Sequence, residues 1–241
     1  MTWIGALAAV AASAAEPTIE ELLVATDDAS RGTSSQAILR MDVKTAHYER
    51  SMKMQVWSKG AEKTLVKILE PAKDAGVSTL KVDENLWNYL PKVDRTMKIP
   101  AGMMSGSWMG SHFSNDDLVR EDRLSDDFTC SFTAKPDTDP EKNYVVTCVP
   151  KPTAAVVWGK VVAHIRPDKA PVRVEYVDEK GTLVRTMSYG DYKTMNGRPQ
   201  PLSMRLTPHD KPGESTSITF ESLELDVDLP DSVFTLQALK P

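Results

Sequence analysis

The chain has 241 residues, 41% of them hydrophobic and 26% charged, and its 29 Lys and Arg against 34 Asp and Glu leave a formal net charge of −5. This is the composition of a globular protein with a sizeable core. It offers no basic block to neutralise phosphates, which excludes nucleic acid as a natural partner. The negative balance also argues against adhesion to anionic membrane surfaces by charge alone.

The chain opens with "MTWIGALAAVAASAAEP", an apolar run of small residues ending in Ala-x-Ala patterns. It reads as the remnant of an export signal, residues 1–15, with cleavage after Ala14 or Ala15. The basic segment that normally precedes such a run is missing, so an N-terminal helix or anchor is the competing reading. No Cys follows the run, and no later stretch is apolar enough to cross a bilayer. Residues 16–241 read as a single domain, with no repeat, linker or low-complexity tract dividing them.

Thr18-Ile19-Glu20-Glu21 has the form of a capping box, and Ile19, Leu22, Leu23 and Thr26 follow at helical spacing. One amphipathic helix is therefore expected from about Ile19 to Ala29. Beyond it the period is two. Ala37, Leu39, Met41 and Val43 alternate with Ile38, Arg40, Asp42 and Lys44, and Met52, Met54 and Val56 with Ser51, Lys53, Gln55 and Trp57. "KTLVKILEP" reads as a strand stopped by Pro71, "VSTLKVDENLWNYL" as a hairpin turning at Asp83-Glu84-Asn85, and "RTMKIP" as a further short strand.

The interval Ala101–Asp127 breaks the pattern. It mixes glycine, serine and asparagine with Met103, Met104, Trp108, Met109 and Phe113, and Ser114 is placed to cap a short helix near Asp116. A loop with a helix inserted into a sheet protein suits a lid; the plainer alternative is a loop with a few anchoring residues. "FTCSFTA" and "YVVTCVP" then read as the two arms of a hairpin that brings Cys130 and Cys148 together, which in an exported protein favours a disulfide. The remainder is a meander with turns at Glu179-Lys180-Gly181, Asn196-Gly197 and Asp210–Gly213. In all, about ten strands are expected in a sandwich or barrel.

Catalytic motifs are sparse. His47, His112, His164 and His209 do not stand at metal-ligand spacing, and the aspartates between Asp116 and Asp127 lack the glycine and glutamate of a calcium loop. Nothing calls for a cofactor or metal. A lipid-esterase reading rests on Ser105 or Ser107 acting with His112.

Five stretches in order carry a resemblance. "ILEPAKDAGVSTLKV", "LWNYLPKVDRTMKIP", "SWMGSHFSNDDL", "YGDYKTMNGRPQPLSMRL" and "DLPDSVFTLQAL" resemble segments of the periplasmic outer-membrane lipoprotein-sorting proteins, relatives of LolA and LolB. Trp108 stands where that family usually has Phe, and His112 where it usually has Asp. The resemblance covers most of residues 16–241. It implies a mainly β fold with a few helices: an incomplete, strongly curved antiparallel β-barrel covered by a helical and loop lid. It further implies an apolar cavity that accepts a lipid or lipoprotein acyl chain, an inner-membrane transporter as donor and an outer-membrane acceptor. Trp87, Tyr89, Leu90, Met97, Ile99, Met103, Met104, Trp108, Met109 and Phe113 are the expected lining. Met is suited to it, being unbranched and able to repack around chains of different shape. A cargo-free interaction module on a membrane lipid exporter is the alternative.

Overall fold

The computed structural model describes residues 16–119, 124–154 and 156–240, so the expected leader at 1–15 lies outside the described residues. The capping box forms as expected: Thr18 Oγ1 accepts the Glu21 N–H at 3.2 Å, and Glu21 Oε2 accepts the Thr18 N–H at 3.4 Å. It starts helix α1, Ile19–Asp27. The helix tightens into a 3-10 turn over Asp28–Ser30, because the Asp28 carbonyl accepts both the Arg31 and the Gly32 N–H, and Gly32 then leaves with φ +58°.

Strands β1 (Ser34–Lys44), β2 (Glu49–Lys59), β3 (Lys63–Glu70), β4 (Ser78–Val82), β5 (Asn85–Leu90) and β6 (Arg95–Lys98) step outward from the middle of one sheet. After the intervening segment, β7 (Phe128–Ala134) begins at the opposite edge. Strands β8 (Tyr144–Pro150), β9 (Lys160–Ile165), β10 (Pro171–Val177), β11 (Leu183–Met195), β12 (Arg198–Pro208) and β13 (Ser215–Leu225) then step back until β13 pairs with β1. The result is a 13-stranded antiparallel sheet that curves without closing into a barrel, with β6 and β7 at its edges. It has more strands than the ten or so expected. The short β6, and β4 with Ser78–Lys81 all buried, show little of the alternation by which a strand is read from sequence.

This topology explains the irregular interval. Thirteen strands span nearly 60 Å when laid flat, at about 4.8 Å per strand. The chain must travel from one edge, β6, to the other, β7. It does so across one face of the sheet, and curvature brings the edges within reach. The described residues of this connection, between 99 and 127, include a 3-10 turn at Ala101–Met103 and two short helices, α2 (Asn115–Val119) and α3 (Leu124–Asp127).

Register assigns the two faces, because paired residues of an antiparallel ladder point the same way. On the inner face, under the connection, Leu39 pairs with Met54, Met41 with Met52, Val56 with Val66 and Met54 with Ile68. Met187 pairs with Leu206, Tyr189 with Met204 and Val174 with Ala163 across the other half. Helix α1 covers that second half, where Leu22 and Leu23 pack with Val146, Val161, Ala163 and Ile165. On the outer face the C-terminal tail lies over Leu65, Leu80 and Tyr89 and inserts Leu229, Phe234 and Leu239. The hairpin of β7 and β8 carries the expected disulfide between Cys130 and Cys148, which face each other in register.

Candidate functional site

The connection is anchored to the inner face at several strands, among them β4, β2, β13 and β11. Trp108 is 5% exposed and rests on Met41, Met54, Val66 and Ile68. Its indole N–H donates to Thr79 Oγ1 on β4 at 3.2 Å. Behind it the chain reverses over Trp108–Phe113, where Met109 (φ +52°) and Gly110 (φ +71°) both have left-handed backbones and the Trp108 N–H donates to the Phe113 carbonyl. At Gly110 a Cβ would meet Tyr48 Oη at 3.1 Å, so the missing side chain lets the turn press against the sheet. Tyr48 Oη donates to the Gly110 carbonyl, and Arg50 Nη1 donates to the Met109 carbonyl at 3.0 Å.

Next along the chain, His112 sits over β13. Its Nδ1 is 2.8 Å from Thr216 Oγ1 and its Nε2 is 2.8 Å from Glu214 Oε2. The His112 bond and the Ala46 N–H hold the Glu214 carboxyl below its usual range. Asp117 then reaches β11. Its two oxygens accept from Arg185 Nη1 and Nη2 at 2.9 and 2.6 Å, and it also accepts the Ser114 N–H and hydroxyl at the start of α2. Burial alone would raise the Asp117 pKa, but the Arg185 and Ser114 contacts together hold it below the ordinary aspartate value. The Arg185 guanidinium lies over the rings of Trp158 and Tyr176 at 4.7 and 4.5 Å.

Between these anchors and α1 lies a cavity of about 240 Å³. Val161, Val174, Tyr176, Met187, Tyr189 and Met204 form its floor, and Phe113, Leu124 and Thr26 its roof and side. Asp27, Arg31, Asp117 and Arg185 supply the charged part of its wall. A second crevice of about 390 Å³ opens beside it, bounded by Tyr48, Ser105, His112, Trp158, Leu206 and Pro208. Phe113 and Arg185 line both spaces and so stand between them.

The expected lining residues are not all brought together. Of the ten, Phe113 lines the cavity. Trp108 and Met109 fill the neighbouring inner-face cluster. Leu90, Met97 and Ile99 are partly buried on the inner side of the β5–β6 edge, since Met97 pairs with Asn88 and the Ile99 N–H donates to the Leu86 carbonyl. Trp87 and Tyr89 point to the other face, where they pack with the C-terminal tail. Met104 is partly buried and Met103 is 59% exposed. Met187, Tyr189 and Met204 were not anticipated. Their period-two spacing was visible, but which strands lie side by side under α1 was not.

Ser105 and Ser107 do not form a pair with His112. The Ser107 hydroxyl donates to the Ser111 carbonyl, and both His112 nitrogens face Thr216 and Glu214. Among the described residues no group of three or more His, Cys, Asp or Glu is placed to hold a metal ion, and no helix is long and apolar enough to cross a membrane.

An open antiparallel sheet with a helix and a crossing segment on its inner face is the LolA-like fold, and solved structures share it along nearly the whole chain. A DUF1329 family protein from Desulfovibrio piger superposes with a TM-score of 0.80 at 22% identity, over 92% of this chain and 97% of that one. A candidate outer membrane lipoprotein-sorting protein domain from Vibrio parahaemolyticus gives 0.77 at 23% identity, over 92% and 98%. A LolA superfamily protein from Nitrosomonas europaea gives 0.73 at 23% identity, over 92% and 99%. A family model described as "Uncharacterized protein" matches residues 60–241, and the chain belongs to that family. No curated protein matches the sequence.

Proposed function

We propose that residues 16–241 act as one periplasmic carrier, which holds an acyl chain of a lipid or lipoprotein on the inner face of the sheet and moves it between membranes. The observation that carries this reading is the cavity walled by Met187, Met204, Val174 and Phe113 beneath the crossing segment. Ligand pockets commonly run from about 300 to 1,000 Å³. The cavity of 240 Å³ falls just short of that range, and together with the adjoining crevice it lies within it. Movement of Phe113, which shares the dividing wall with Arg185, joins the two. Burying a 16-carbon chain is worth about 0.8 kcal/mol per CH₂ before ordering costs, enough for binding without any covalent chemistry. The partner proteins expected on this reading are an inner-membrane donor and an outer-membrane acceptor. The LolA-superfamily and lipoprotein-sorting neighbours support the reading through shared fold.

The test is native mass spectrometry of protein purified from the periplasm without detergent, followed by solvent extraction. Lipid bound to wild type and absent from Met204→Trp, which fills the cavity while leaving the crossing segment intact, supports the carrier. Protein that neither carries lipid nor takes up added acyl lipid favours the cargo-free interaction module.

A further inference from the structure

The floor of the cavity contains one hydroxyl whose position the fold itself does not explain. Tyr189 stands on β11 two residues from Met187 and in register with Met204. All three side chains line the cavity. Three of the other five tyrosine hydroxyls donate within the protein: Tyr48 to the Gly110 carbonyl, Tyr89 to Asp94 Oδ1, and Tyr192 to the Pro171 carbonyl. Among the described residues none hydrogen-bonds the Tyr189 hydroxyl. The Tyr189 hydroxyl is therefore free to donate to whatever enters the cavity, a role that phenylalanine there could not fill. Burial also drives the Tyr189 pKa upward, so the group stays a neutral O–H.

We infer that Tyr189 donates to the carbonyl oxygen of an acylated ligand, so that the site selects acyl esters over plain hydrocarbon of equal length. The inference rests on the carrier reading and adds the chemical class that the cavity recognises. It also orients the ligand. The carbonyl lies on the floor at Tyr189, and the hydrocarbon extends along Met187 and Met204 toward Phe113 and the crevice. The apolar surfaces supply affinity and the Tyr189 hydroxyl supplies selectivity, because a site that donates to a ligand carbonyl discriminates against a ligand that lacks an acceptor.

The experiment uses displacement of the fluorescent probe 1-N-phenylnaphthylamine by methyl decanoate and by tridecane, which have the same number of heavy atoms. Tyr189→Phe is expected to weaken methyl decanoate about five-fold and to leave tridecane unchanged, the effect of one hydrogen bond. Tyr192→Phe, whose hydroxyl is already engaged, leaves both unchanged and controls for loss of a phenol as such. If Tyr189→Phe weakens both ligands equally, or neither, the inference is overturned and the carrier reading stands. If the wild-type protein binds neither probe nor ligand, the carrier reading fails and the inference falls with it.

Discussion

Truncating Trp108 tests whether the crossing segment is part of the core or a detachable cover. The indole is 5% exposed, rests on the Met41, Met54, Val66 and Ile68 side chains, and donates to Thr79 Oγ1. Removing a buried Trp side chain costs about 3–5 kcal/mol, because the lost contacts and the cavity left behind add. The hydrogen bond contributes little to the difference, since Thr79 Oγ1 keeps its bond to Asn88 Oδ1 at 2.8 Å. Trp108→Ala is therefore expected to destabilise by about 4 kcal/mol, and at about 2–4 °C per kcal/mol for a domain of this size the melting temperature drops by about 8–16 °C. The assay is urea unfolding followed by far-ultraviolet circular dichroism, which does not depend on the deleted fluorophore. A shifted midpoint with an unchanged slope reports a true stability change. A loss below about 1 kcal/mol would refute the reasoning, because the surrounding methionines would then be packed without the indole.

Other perturbations address single contacts. Arg185→Met leaves Asp117 buried without its bidentate partner, the pair being 14% and 20% exposed, and is expected to cost about 3–5 kcal/mol in the same unfolding assay. Asp117 has a folded pKa below its unfolded value, so its contribution is complete above about pH 4 and is lost as the pH falls through the folded value. The gap between wild type and Asp117→Asn should close on acidification, and a gap independent of pH would count against the pair. Lys81 behaves oppositely: burial, aided by repulsion from Arg31, pushes its pKa down to about 8. Its buried charge then destabilises at neutral pH, and wild type should gain on Lys81→Met between about pH 8 and 10.4; parallel pH profiles would contradict this. Replacing Cys130 and Cys148 by serine opens a link across 18 residues of sequence and should cost about 3 kcal/mol, read as a lower urea midpoint under oxidising conditions only.

How far the sequence could be read differs between the fold and the site. The capping box at Thr18, the alternation through Met41 and Met54, the Asn196-Gly197 turn and the Cys130–Cys148 hairpin are local patterns, and each forms where its residues stand. The site depends on strand neighbours distant in the chain. Trp87 and Tyr89 alternate as clearly as Met187 and Tyr189 do. Alternation says that two residues share a face, but not which face, nor what covers it. The C-terminal tail covers the first pair and the cavity lies over the second.

The open β architecture was implied by the resemblance of five ordered segments, whereas the sequence by itself determined about ten of the strands, the first helix, the disulfide and the position of an irregular interval rich in large apolar residues. These follow from interactions a few residues long, or from a hairpin closed on itself. Only the tertiary structure decided that β13 returns to pair with β1, that the connection from β6 must consequently cross the inner face, and that Trp108, His112 and Asp117 fasten it at β4, β13 and β11. The physical reason is that a period of two leaves each strand free to present either face, and that choice is made only when all the strands are packed against one helix, one crossing segment and one tail.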